Sequence, residues 1–161
     1  MGGKEASRGF LYQGFASVLE ALTDKNKWDK IYIEFPTSND KVDIALGAAN
    51  KVIKSIQVKS TINTFSKSDI MVWLHDLIAD IDTPEYELCL IGQCEKSAIT
   101  FINSIEKFYN NTLDNTAVKS LDGFSTDLLR NKRINFIILP FEIEVLEKIV
   151  RDSLHKSNVV F

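Results

Sequence analysis

The chain has 161 residues, about the length of one ordinary domain built on a single core. Its 45% apolar and 25% charged fractions exclude a disordered or low-complexity chain, and no apolar run approaches the roughly 20 residues that cross a bilayer. With 19 Lys and Arg against 22 Asp and Glu the net charge is -3, which excludes coating of nucleic acid through overall basicity and leaves any such contact to local groups.

Residues 7–22 read as a first helix capped by Ser7, with Leu11, Phe15, Val18 and Leu22 at the spacing of one apolar face. Gln13, Ala16, Ser17 and Glu20 fall on the reverse side, which is small and mostly uncharged, unlike a solvated face, and is expected to lie against another surface such as a cleft. Residues 30–35, 42–46 and 52–60 alternate as strands and predict an antiparallel meander. Helical spacing returns over residues 68–81, where Ile70, Trp73, Leu74, Leu77, Ile78 and Ile81 share one side until Pro84. A buried strand over 86–92 follows, then a helix capped by Ser97, a polar connection over 110–131 with room for a short helix, a second apolar strand over 134–139, and a last helix over 142–155. The expected object is one α/β domain over 1–161: a mixed sheet with helices on both faces, ordered helix, three-strand meander, helix, strand, helix, strand, helix. Cys89 and Cys94 lack a metal spacing and are expected as reduced core thiols; the opening Met1 to Glu5 lacks the apolar centre of a signal peptide, so a cytoplasmic location is expected.

The feature that carries chemistry is Asp43 followed, one strand later, by Gln57-Val58-Lys59. Period-two geometry sets Gln57 and Lys59 on one face, opposite Ile56 and Val58, and sets Asp43 with Ala45 and Gly47. A turn through Ala49, Asn50 and Lys51 that pairs residue 48 with residue 52 brings Asp43 directly opposite Gln57. One face is then apolar and the other carries an acid, an amide and an amine. Such a trio suits Mg²⁺-assisted hydrolysis of a phosphodiester: Asp43 supplies the anionic ligand, the Gln57 side-chain oxygen and the Val58 carbonyl supply neutral ones, and the Lys59 ammonium holds the attacking water or meets charge on the phosphate. The competing account is a plain cross-strand ion pair between Asp43 and Lys59.

The flanking residues add a resemblance. Gly9, Phe10, Leu11, Tyr12 and Gln13 on the first helix, then Glu34, Asp43 and Gln57-Val58-Lys59-Ser60, resemble the PD-(D/E)XK nuclease superfamily, above all Mrr-like restriction endonucleases and the N-terminal nuclease domains of CBASS-type anti-phage effectors. The chain departs from that pattern in having Gln57 where Glu is usual and no Pro before Asp43. The resemblance implies a restriction-endonuclease-like core and a Mg²⁺- or Mn²⁺-dependent endonuclease acting on double-stranded DNA in restriction or anti-phage defence. It places Asp43, Gln57, Lys59, Gln13 and Glu34 in the active site, with metal on Asp43, Gln57 and Val58. It further implies a homo-oligomer when active, no membrane, and a place as the N-terminal part of a larger protein, or as a subunit, beside a sensor or ATPase module. The alternative is a catalytically inactive module of the same fold that holds DNA or assembles proteins, which fits Gln57 and the mild acidity. No Gly-rich phosphate loop, nucleophile elbow or zinc spacing supports a different α/β enzyme.

Overall fold

The computed structural model describes residues 2–23 and 27–157. Helix α1 spans Gly2–Leu22 and is followed by strands β1 (Lys30–Ile33), β2 (Ile44–Ala48) and β3 (Lys51–Phe65). Next come α2 (Lys67–Asp80), β4 (Glu85–Cys94), α3 (Lys96–Tyr109), the short α4 (Asn115–Ser120) and α5 (Thr126–Asn131), β5 (Arg133–Leu139) and α6 (Ile143–Lys156). The strands form one sheet in the order β1-β2-β3-β4-β5; the first three pair antiparallel, and β4 and β5 join in parallel. This is the mixed α/β arrangement expected from the apolar periods, with two short helices in place of one along the polar connection. Among the described residues no helix is long and apolar enough to cross a membrane, and Cys89 and Cys94 are both free thiols.

Alternation along β4 builds the core on both faces of the sheet. Tyr86, Leu88 and Leu90 join Ile70, Leu74 and Leu77 of α2 and Phe101 and Ile105 of α3 in one cluster. Cys89 and Ile91 point the other way, to Tyr12 and Ala16 of α1 and Leu146 of α6, together with Ile44 and Ile56. Because both faces are covered, β4 is apolar almost throughout, as a central parallel strand must be. Each fully buried Leu or Ile contributes about 1.5–3 kcal/mol, so these two layers account for most of the hydrophobic stabilisation.

Three local differences from the sequence reading matter for the site. First, α1 turns its other side inward: Tyr12, Ala16, Ser17 and Glu20 are buried while Leu11 and Val18 are exposed. Small Ala16 and Ser17 let the helix lie close to the sheet, where Asp43 accepts from Gln13 Nε2 and Lys54 donates to Glu20, which outweighs burying the larger apolar stripe. Second, the β2–β3 turn is two residues long, Ala49 and Asn50, both at positive φ (51° and 63°), so Ala48 pairs with Lys51 rather than with Val52. A bulge at Leu46/Gly47 then restores the expected register, and Ile44 lies opposite Ile56. Third, β3 continues past its expected end at residue 60 to Phe65, and α2 begins at Lys67 with Ser66 as its cap, in a reciprocal box with Asp69.

Candidate active site

The residues expected to carry chemistry meet where α1 crosses the start of β2. Asp43 stands just before that strand, and its carboxylate is gripped from two sides: Gln13 Nε2 donates to Oδ1 at 2.9 Å and the Val58 N–H donates to Oδ2 at 2.7 Å. One further step of the β2–β3 register would set Asp43 squarely against Gln57. Instead the Asp43 N–H bonds to the Ile56 carbonyl at 3.0 Å, and the side chain reaches past Gln57 to Val58. A strand residue sends its N–H and C=O to the same edge, so the Val58 carbonyl leaves β3 on the side where Asp43 lies.

The two glutamines near Asp43 each carry a buried amide oxygen. Gln57 lies beside Leu88 on the face packed by α2 and α3 and is only 4% exposed, so the polar face expected for the sheet is in fact a covered one. Gln57 Oε1 and Gln13 Oε1 are both buried with no hydrogen-bond partner among the described residues. An unmet buried acceptor costs about 1–3 kcal/mol; Gln13 comes to Asp43 from α1 and Gln57 lies on the opposite, α2–α3 face, and Ser55 Oγ and Glu87 Oε1 are likewise buried without a partner among the described residues. Among the described residues no three His, Cys, Asp or Glu side chains converge as a metal group; an ion here would be held by Asp43 with amide and carbonyl oxygens, the mixture that Mg²⁺ accepts together with water.

Electrostatics set the site apart from ordinary surface. Burial raises the pKa of Asp43 above the usual carboxylate value, against the pull of the Val58 N–H and of Lys59, and Glu34 adds to the rise. Burial likewise lowers the pKa of Lys59, opposed by Asp43. The Lys59 ammonium lies 5.2 Å from the centre of the Trp73 ring, and among the described residues it closes no ion pair with Asp43. Trp73, itself edge-on to Phe65, thus holds the amine near the acid without neutralising it. That geometry removes the simple cross-strand ion pair as an account of the two residues.

Gln13, Glu34 and Asp43 line one open hollow of about 280 Å³, with Phe35, Asp40 and Val42. Glu34 is exposed at its rim, at a positive φ of 52°, and its N–H bonds to the Asp43 carbonyl at 2.6 Å. Asp80, a residue that sequence reasoning missed, fixes the segment between β1 and Asp43: it accepts from the Thr37 hydroxyl and, at 2.9 Å each, from the Asn39 and Lys41 N–H groups. Burial works against its charge, yet the bonds from Thr37, Lys41 and Asn39 hold its pKa below the usual value. An acid in the last turn of a helix opposes the helix dipole, and that mismatch is the signal by which Asp80 was legible.

Compared with protein-family models, curated proteins and solved structures, the chain matches none.

Proposed function

We propose that this chain is a metal-dependent endonuclease domain of restriction-endonuclease-like fold that hydrolyses phosphodiester bonds of double-stranded DNA, in restriction or anti-phage defence. The observation that carries the reading is the pair of orphaned buried oxygens, Gln13 Oε1 and Gln57 Oε1, beside a doubly held Asp43. Asp43, Gln57 and the Val58 carbonyl would hold Mg²⁺ or Mn²⁺, which when bound supplies a Lewis acid and an acidified water. Gln13 and the Val58 N–H orient the carboxylate of Asp43. Lys59, kept unpaired on Trp73 and with its pKa lowered by burial, gives up a proton more readily than a surface lysine and places positive charge against the phosphate. Glu34 stands at the rim, where it can take up a proton from water. The meander-first order of the sheet, with β4 and β5 added in parallel, agrees with the proposed fold. A homo-oligomer that places two such sites on opposite strands, working beside a sensor or ATPase module, completes the proposal.

One observation favours the second reading, a module that holds DNA or assembles proteins without cutting. Burial raises the Asp43 pKa, so a metal ion competes with protons for this carboxyl more than for one on the surface. Plasmid nicking with Mg²⁺ and with EDTA separates the two. The proposal expects Mg²⁺-dependent cleavage by the parent and a loss of at least about a hundredfold in Lys59→Ala, whose fold is retained. Equal Mg²⁺-dependent cleavage by parent and Lys59→Ala removes Lys59 from the proposed site, and none by either leaves the non-catalytic reading.

A further inference from the structure

Where β3 leaves the site it carries a feature that hydrolysis alone does not use. From Ser60↔Ile91 to Thr64↔Gln93, β3 advances four residues while β4 advances two, so residues 61–63 bulge out of the ladder. The bulge is seated on Gly92, whose φ of 145° suits glycine and where a Cβ would lie 2.6 Å from the Thr61 carbonyl oxygen. The Asn63 N–H closes the turn on Thr61 Oγ1 at 3.1 Å. At its tip stands Ile62, 80% exposed, the most exposed large apolar side chain among the described residues. A lone exposed Ile needs no explanation on an ordinary surface. This one is held out on a backbone that only glycine at position 92 permits, three residues beyond Lys59, with the exposed polar side chains of Ser60, Asn63 and Thr64 around it.

We propose that Ile62 is a wedge that enters a base step of duplex DNA close to the bond being cut. The inference rests on the hydrolytic reading above and adds a contact that sets which DNA is preferred. A strand rises roughly 3.3 Å per residue and the bulge halves that advance beyond Ser60, which puts Ile62 about 7 Å along the strand from Lys59, or about two base pairs along the duplex. Apolar wedges part stacked bases when they are preorganised, and here the ladder on either side of the bulge and the Asn63–Thr61 bond hold the turn before DNA arrives. Ser60, Asn63 and Thr64 then face the phosphates on either side of the opened step, where their hydroxyl and amide groups can donate.

The test compares binding of the whole chain, in Ca²⁺, to short duplexes that are fully paired or carry one mismatched pair flanked by 2-aminopurine. A mismatch lowers the cost of unstacking, so a wedge prefers it. The parent is expected to bind the mismatched duplex about tenfold more tightly and to brighten the 2-aminopurine. Ile62→Ala should lose the preference and the signal with an unchanged melting temperature, and Ile62→Leu should keep both. Equal preference and equal fluorescence in the parent and Ile62→Ala overturn the wedge, even if plasmid cleavage is intact. Unstacking by a parent that never cleaves with Mg²⁺ overturns the hydrolytic reading alone, and a chain that binds no duplex overturns both.

Discussion

Helix α1 meets the sheet through two polar clusters, and they are built on opposite principles. Gln13 and Glu20, two turns apart, project from the same side. At Glu20 the cluster is closed by charge: Lys54 Nζ lies 3.0 Å from Glu20 and 2.6 Å from Glu87, with both acids at most 3% exposed. Burial pushes the Glu87 pKa up to about 9, with Glu20 adding to the rise and Lys54 opposing it, so Glu87 keeps a proton at neutral pH and the trio is nearly neutral. At Gln13 the carboxylate of Asp43 has donors but no bonded cation, its amine neighbour rests on Trp73, and two amide oxygens face no donor. The Lys54 cluster therefore reads as a staple for α1, although Glu87 Oε1 too has no bonded partner among the described residues, whereas the Asp43 carboxylate is held by donors and no bonded cation. The difference between the clusters is whether a bonded cation meets the acid, and the proposed function rests on that difference.

The contrast predicts how the two clusters fail. Lys54→Met removes the cation shared by two buried acids and should cost about 3–5 kcal/mol in urea unfolding; a loss under about 1 kcal/mol would deny the staple. The next effect is smaller and depends on pH. A carboxyl whose folded pKa is raised stabilises the fold while protonated, and that contribution drains away as pH climbs from the ordinary 4.5 through about 9. Thermal melts should accordingly show stability falling over that window, and Glu87→Gln should flatten the slope; an unchanged slope would place the proton elsewhere. The smallest shift belongs to Gln57→Glu. Without metal, the added carboxylate repels Asp43 and should lower the melting temperature by a few degrees, and Mg²⁺ should raise it by more than in the parent. An equal deficit in Mg²⁺ and in EDTA would make Gln57 a structural amide.

Much of this arrangement was legible in the residues, and the failures share a cause. The helices of both layers and the five strands follow from the apolar period, because burial on two faces leaves long runs such as β4 with few other uses. Asp43, Gln57 and Lys59 could be brought together because strand alternation survives small errors: the turn was one residue shorter than expected, and the Leu46/Gly47 bulge cancelled the difference. The inward side of α1 was legible only in part: its small, mostly uncharged residues Gln13, Ala16, Ser17 and Glu20 pointed to a neighbouring surface, but the stripe of Leu11, Phe15, Val18 and Leu22 outscores them on apolarity. Only the partners on distant strands, Asp43 for Gln13 and Lys54 for Glu20, reverse the choice. The extension of β3 beyond Ser60 was hidden for the same reason, because its pairing depends on Gly92 accepting the close approach of Thr61.

Manganese binding followed by electron paramagnetic resonance tests most directly the claim that the Asp43 cluster, and not the staple, holds a divalent ion. The parent and Glu87→Gln should each bind Mn²⁺ with equal stoichiometry, and Asp43→Asn should weaken that binding at least about tenfold, since the anionic ligand is gone while the amide oxygen can still accept from the Val58 N–H. Binding that persists unchanged in Asp43→Asn, or a parent that binds no Mn²⁺, would contradict the assignment.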